Sequence, residues 1–134
     1  MTFRTLLIIK AVVCLVFGLI LLLMPSELVA LLGSQLSDGG VFTAHEYGAA
    51  LIGTFLLTWF AKNVKAADAR GAILLDLMIY DAIGVIITLL VVLPGIFNAL
   101  GWGIVVIYLF FTLGSAYLFF TEKPLQQARM QSAA

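Results

Sequence analysis

Lys10, Asp76 and Asp81 are the residues of this chain best placed to do chemistry, because each lies in a stretch otherwise built from Leu, Ile, Val, Phe and Ala. A charge in hydrocarbon costs several kcal/mol unless it is paired, neutralised or hydrated, so such residues mark an ion pair, a buried hydrogen bond or a proton or solute path. At about 100° per residue, Asp76, Tyr80, Asp81, Gly84 and Thr88 fall within an arc of about 140° on one helix. Leu75, Met78, Ile79, Ala82, Val85, Ile86 and Leu89 fill the other side. The polar side of that helix is expected to look into a bundle, and Lys10, Asp76, Tyr80 and Asp81 form the candidate intramembrane site.

Depth suggests the partners. At a rise of about 1.5 Å per residue, Lys10 lies roughly 9 Å beyond Arg4 and Asp76 roughly 9 Å beyond Arg70. Equal depth predicts a Lys10–Asp76 ion pair if their helices touch. The competing reading has Lys10 snorkelling to the headgroups and Asp76 neutral or hydrated. Asp81 lies on the order of 16 Å in, near the midplane, with no basic residue at its level. It is expected either protonated and hydrogen-bonded to Thr54, Thr112 or a backbone carbonyl, or as part of a proton or solute path. Packing is the favoured role, because a path would call for further ionisable groups on the other helices.

A second polar group gathers Glu27, His45 and Glu46, with Asp38 between them in the chain. These types could hold a divalent cation or a partner. The chain has one histidine, however, and a zinc site normally takes three or four protein ligands, so helix capping and interfacial solvation are the simpler account. The single cysteine, Cys14, shares the Lys10 face and reads as a small buried hydrophobe. It excludes an intramolecular disulfide and any multi-cysteine metal or redox motif. No acid, base and nucleophile converge in the sequence, so no catalytic residue, metal or cofactor is assigned and enzymatic activity is not expected. Basic residues are scattered singly and balanced by acidic ones, seven of each, which leaves no nucleic-acid footprint.

The elements that must position these residues follow from composition. The chain has 134 residues, 63% of them hydrophobic and 10% charged; a soluble domain carries about 25% charged residues. Four apolar blocks, about residues 6–24, 43–61, 71–93 and 100–121, are each long enough to cross a hydrocarbon core of about 30 Å as a helix. They lack the short alternating pattern of a membrane β-barrel. The expectation is an all-α, polytopic four-helix transmembrane bundle forming one domain over residues 1–134. The run from Leu6 to Met24 is longer than the core of a secretory signal, and Met24-Pro25-Ser26-Glu27 lacks a small-x-small cleavage pattern, so it reads as a retained first span.

Pro25 and Pro94-Gly95 end the first and third blocks. Ser37-Asp38-Gly39-Gly40 reads as a flexible turn. Between them, residues 26–32 predict a short helix along the outer interface, with Ser26 as its cap. Arg4, Lys62, Lys65, Arg70, Lys123 and Arg129 fall before the first block, between the second and third, and after the fourth. The positive-inside rule then places both termini in the cytoplasm of a multi-pass inner-membrane protein. Tyr47 and Trp102 fall at the outer interface and Trp59 at the inner one, as belt aromatics.

Arg4 to Gly18 has the same spacing as Arg70 to Gly84, and each half then runs into a Pro, a Leu-Gly and an aromatic-Gly pair. This hints at two tandem hairpins of like orientation, as some transporters use; the general similarity of apolar helices is the competing account. Ala44, Gly48 and Ile52 with Ala49 and Gly53, then Ala11, Cys14 and Gly18, and Gly114 with Ser115 form small-residue strips for close helix approach, within the chain or in a homo-dimer.

Gly18 to Pro25, Leu32-Gly33, Tyr47-Gly48-Ala49-Ala50-Leu51-Ile52-Gly53 and the aromatic block from Trp102 to Phe120 resemble small bacterial four-span proteins grouped in families of unknown function. More distantly the chain is similar to DoxX-type tetraspan proteins, some of which are membrane subunits of quinone-linked oxidoreductases. The likeness covers nearly the whole chain, but its motifs are packing motifs and carry over no functional residue. Three function classes stand. The favoured one is a non-catalytic accessory or assembly subunit, partnered by the bilayer and by a larger complex or further copies of itself. The second is a small oligomeric carrier or channel using Asp76, Asp81 and Lys10. The third is a quinone-binding or enzymatic membrane subunit with its site at Tyr80 and the polar face around it.

Overall fold

Thr2 opens the first helix by accepting a hydrogen bond from the Thr5 N–H at 3.2 Å, which satisfies one of the donors every helix leaves free at its start. In this computed structural model, residues 1–133 are described, apart from the side chains of residues 123–130. Lys123 and Arg129, two of the cations used for orientation, therefore lie outside the described side chains.

Helix α1 (Phe3–Leu23) ends at Met24, which leaves the helical conformation directly before Pro25. Pro25 then starts α2 (Pro25–Leu31), a position where its missing N–H costs nothing. Ser26 is therefore not the cap; Met24 stands there and offers no side-chain bond. In α3 (Asp38–Ala61) the Ser37 hydroxyl accepts from the Gly40 N–H at 3.2 Å. The Gly39-Gly40 pair, expected as a turn, belongs to the first turn of this helix, because a good cap outweighs the weak helix propensity of glycine. Helices α4 (Ala67–Val92) and α5 (Gly101–Ala133) complete the chain, and no strand occurs among the described residues. Three helices, α1, α4 and the Gly101–Glu122 part of α5, are long and apolar enough to cross a membrane. The chain is a helical membrane protein. At 24 residues α3 matches them in length but carries Asp38, His45 and Glu46 in its first half.

Helix α1 packs along α3, and α4 along α5; among the described residues the helix backbones of these two pairs come close only where α1 meets α5. Within the first pair the crossing is set by glycine: a Cβ on Gly48 would stand 3.0 Å from the Gly18 carbonyl oxygen, and one on Gly18 would stand 3.2 Å from that of Gly48. Within the second pair the Tyr108 ring lies where a Gly84 Cβ would come within 2.5 Å of it. At one end of this pair Arg70 clamps Glu122 through Nε at 3.0 Å and a second nitrogen at 2.5 Å. Lipid tails are as apolar as leucine, so such close approach and interhelical polar bonds drive association here, with little hydrophobic gain.

Two closures hold the pairs together at their ends. At the Arg70 end, the guanidinium lies 4.2 Å from the centre of the Phe3 ring, above a core of Phe3, Leu6, Leu7, Leu74, Leu77 and Phe111. At the other end, Asn98 in the α4–α5 connection donates its backbone N–H to the Leu32 carbonyl at 2.8 Å and its side-chain amide to the Leu31 carbonyl at 2.9 Å. Those carbonyls end α2. Gly33 beside them takes a positive φ of 84°, and a Cβ there would press on the Asn98 side chain, so this clasp needs glycine on both counts.

Gly84→Ala is predicted to destabilise the bundle by about 1–3 kcal/mol through overpacking against Tyr108, seen as a lower unfolding midpoint in detergent. Gly53→Ala, which meets nothing within 4 Å, should not lower that midpoint and, by removing a helix-interior glycine, should leave it equal or slightly higher.

Candidate functional site

Lys10 on α1 and Asp81 on α4 form an ion pair through Lys10 Nζ and Asp81 Oδ1. Both are buried, at 3% and 0% exposure. The ammonium also lies 4.5 Å from the centre of the Phe111 ring and 5.2 Å from that of Tyr80, whose electron-rich faces favour a cation. Asp81 Oδ2 has no partner among the described residues.

This pairing replaces both expectations drawn from depth. Asp76 is exposed beside Leu75 and Ile79, while Leu74, Leu77, Asp81 and Thr88 make the buried face of α4. Five residues separate Asp76 from Asp81, a rotation of about 140°, so the two carboxylates cannot both face α1. The depth count placed each charge at its own backbone. Arg70 in fact lies level with Phe3; from there Asp81 is roughly 6 Å deeper than Lys10, a gap the flexible lysine stem closes. Thr54 and Thr112, the proposed partners of Asp81, donate instead to the carbonyls of Ala50 and Tyr108, at 3.0 and 2.9 Å.

Beside the ion pair three tyrosines from three helices meet. The Tyr47 hydroxyl on α3 is 2.8 Å from that of Tyr80 on α4 and 2.5 Å from that of Tyr108 on α5. Tyr47 is thus drawn inward from the belt position expected of it, whereas Trp59 and Trp102 stay exposed. Sequence reasoning selected Tyr80 and missed Tyr47 and Tyr108. The one available signal for Tyr108 was Gly84 on the polar side of α4, which makes room for its ring.

These groups border a chamber of about 220 Å³ between the two helix pairs. Lys10, Cys14, Tyr47, Tyr80 and Tyr108 supply its polar and sulfur atoms, and Val13, Phe17, Leu51 and Ile107 contribute apolar wall. Leu28, Val29 and Leu32 from α2 and its end, together with Phe97, cover the side held by the Asn98 clasp. Phe111, whose ring also faces the Lys10 ammonium, belongs to the Phe3 and Leu7 core toward the Arg70 end. Such a space, mostly apolar with a few convergent polar atoms, is the usual form of a small-molecule site. Of the residues singled out in the sequence, Lys10, Tyr80 and Asp81 come together here. Asp76 does not, and Glu27, His45 and Glu46 are exposed elsewhere; among the described residues no three metal-ligating side chains gather. Comparison with protein-family models, curated proteins and solved structures finds no match to the chain.

Removing one member of a buried pair strands the other charge, at a cost of about 3–5 kcal/mol. Lys10→Met and Asp81→Leu are each predicted to lower the yield of folded protein in membranes, and the two together should recover part of it. A double variant worse than both singles would show that the two charges act separately.

Proposed function

We propose that this chain is a membrane-embedded binding protein that takes a small, largely apolar molecule into the chamber between its helix pairs. The observation that carries the reading is the chamber itself, bordered by three hydroxyls and by the Lys10 ammonium of the ion pair. Of the three classes raised by the sequence, this reading stands nearest the third, a quinone-binding or enzymatic membrane subunit, and not the favoured accessory subunit. Conduction is less favoured, because the described residues at the Arg70 end of the bundle form an apolar core.

The reading takes α3 as a fourth span. Its length of 24 residues, roughly 36 Å as a helix, and its packing along α1 support that count. The lysines Lys62 and Lys65 at its end support an arrangement with both termini and the α3–α4 loop in the cytoplasm of an inner-membrane protein. A second reading, attachment to a larger membrane complex, is favoured by Asp76, a carboxylate exposed on an otherwise apolar stretch of α4. The two are compatible.

One labelling series tests these readings. Ethylbenzene should slow alkylation of Cys14, which lines the chamber, in a saturable way, and Ile104→Phe, which places extra volume there, should abolish the effect. Protection that never saturates, or that survives Ile104→Phe, would place ligand elsewhere. With Cys14 replaced by alanine, Lys65→Cys should react with an impermeant maleimide only from the cytoplasmic side, and reaction from outside would reverse the topology. Asp76→Cys should react faster in pure lipid vesicles than in native membranes if a partner covers it; equal rates would count against the complex.

A further inference from the structure

We infer that α2 is the lid of the chamber and Asn98 its latch: α2 swings on the first helix pair, and release of the Asn98 clasp opens the chamber at the end opposite Arg70. The device belongs to the chamber whatever molecule it holds, so it stands apart from the choice of ligand.

Helix α2 is set off from its neighbours at both ends. Met24 leaves the helical conformation between α1 and α2. Gly33, with its positive φ of 84°, is followed by residues 34–37, which form no regular structure. Among the described residues the backbone of α2 comes close to that of α1 and α3, and to that of neither α4 nor α5. It is therefore carried by the first pair and only rests against the second. Yet it covers the chamber: Leu28 and Val29 on the helix and Leu32 just past it stand in the lining beside Phe97, while Ser26 and Glu27 stay exposed. A short helix with an apolar side and a polar one can lie in the headgroup boundary of a bilayer. When α2 swings out, Leu28 and Val29 can thus exchange the chamber for that boundary and need not enter water.

The latch is a single residue. Asn98 donates its backbone N–H to the Leu32 carbonyl and its side-chain amide to the Leu31 carbonyl. Its Oδ1 accepts from the Leu100 N–H at 3.0 Å, which holds the amide group in the orientation that the bond to Leu31 requires. Asn98 is exposed, so water competes for these bonds, and each contributes about 0.5–1.5 kcal/mol net. A segment closed by two such bonds and a few apolar contacts belongs to the low end of local opening energies, from which lids are drawn. The Arg70 end is held differently, by a charged two-bond clamp to Glu122 and the Phe3 core. The two ends of the bundle therefore differ in what it takes to part them, and the weaker end is the one that covers the chamber.

Cys14 lines the chamber and is 2% exposed, so its alkylation by iodoacetamide, a small polar reagent, follows opening. The rate is measured with no ligand added, on the whole protein in lipid nanodiscs, from the mass of the peptide that contains Cys14. Asn98→Asp keeps the shape of the side chain and its bond from Leu100 but puts an acceptor where the donor to Leu31 stood. It is expected to raise the rate roughly three- to tenfold, the worth of one net hydrogen bond. The lid can also be locked. A Cβ on Gly33 would stand 3.4 Å from the Asn98 Cβ, just short of the roughly 3.5–4.5 Å that a disulfide spans. The strain of a side chain at that φ, about 1–2 kcal/mol, does not exceed the roughly 2–4 kcal/mol that a disulfide contributes. Gly33→Cys with Asn98→Cys should therefore crosslink on oxidation and abolish Cys14 alkylation within the time that modifies the reduced form. If Asn98→Asp does not fold, the oxidised and reduced forms of the double variant decide. A folded Asn98→Asp protein with an unchanged rate overturns the latch, and equal rates in the oxidised and reduced forms overturn the lid. Saturable protection of Cys14 by ethylbenzene would survive both results, so they leave the binding function standing.

Discussion

The Lys10–Asp81 ion pair is the constraint from which the rest of the arrangement follows. In lipid, nothing comparable to the hydrophobic effect pushes one helix pair onto the other, and among the described residues the spanning helices of the two pairs approach closely in backbone where α1 meets α5. Two charges that cannot stay alone in hydrocarbon supply a strong reason for the pairs to meet, and only in a register that brings α1 and α4 together at those two residues. A buried pair is weak as a source of net stability, because desolvation offsets much of the attraction. Its effect is on which arrangement forms. With Asp81 turned toward α1, the neighbouring Tyr80 comes to Tyr47 of α3, and Tyr47 in turn reaches Tyr108 of α5.

The same constraint accounts for the chamber. Inside each pair the contact residues are small: Gly18 against Gly48, and Gly84 under the Tyr108 ring. Around the chamber the contact residues between the pairs are large, namely lysine, three tyrosines and Phe111, whereas toward the Arg70 end Gly114 of α5 takes Met1 and Leu6 closely. Helices that meet through such side chains stand further apart than helices that meet through glycine, and the space that is left is lined by the apolar flanks of the same elements. The core at the Arg70 end and the Asn98 clasp on α2 then determine where this space stops. Ligand chemistry and helix register are for this reason tied to one set of residues.

Much of the fold was legible in the sequence, because lipid imposes a simple rule on it. Backbone groups in hydrocarbon must bond within their own helix, so long apolar runs announce helices, and Pro25 with Met24 marks the end of α1. Start points were less legible. Ser37 caps α3 and draws Gly39-Gly40 into the helix, a local bond that hydropathy does not register. The site was legible in residue type and less so in pairing. Lys10, Tyr80 and Asp81 stood out because they are polar among leucines and isoleucines. The partner of Lys10 was misassigned to Asp76 because depth along a helix axis ignores both rotation about it and the reach of a lysine. Tyr47 and Tyr108 were missed because a tyrosine in the outer half of a span looks the same in sequence whether it faces headgroups or a neighbouring hydroxyl.

If Lys10 is matched to Asp81 across the two helix pairs, reversing both charges must preserve the fold. The measurement is the amount of monodisperse, folded protein recovered from membranes for Lys10→Asp alone, for Lys10→Asp with Asp81→Lys, and for Lys10→Asp with Asp76→Lys. A large loss is expected in the single variant, with substantial recovery on adding Asp81→Lys and none on adding Asp76→Lys. Recovery with Asp76→Lys and not with Asp81→Lys would contradict that match, and with it the register that aligns the tyrosines around the chamber.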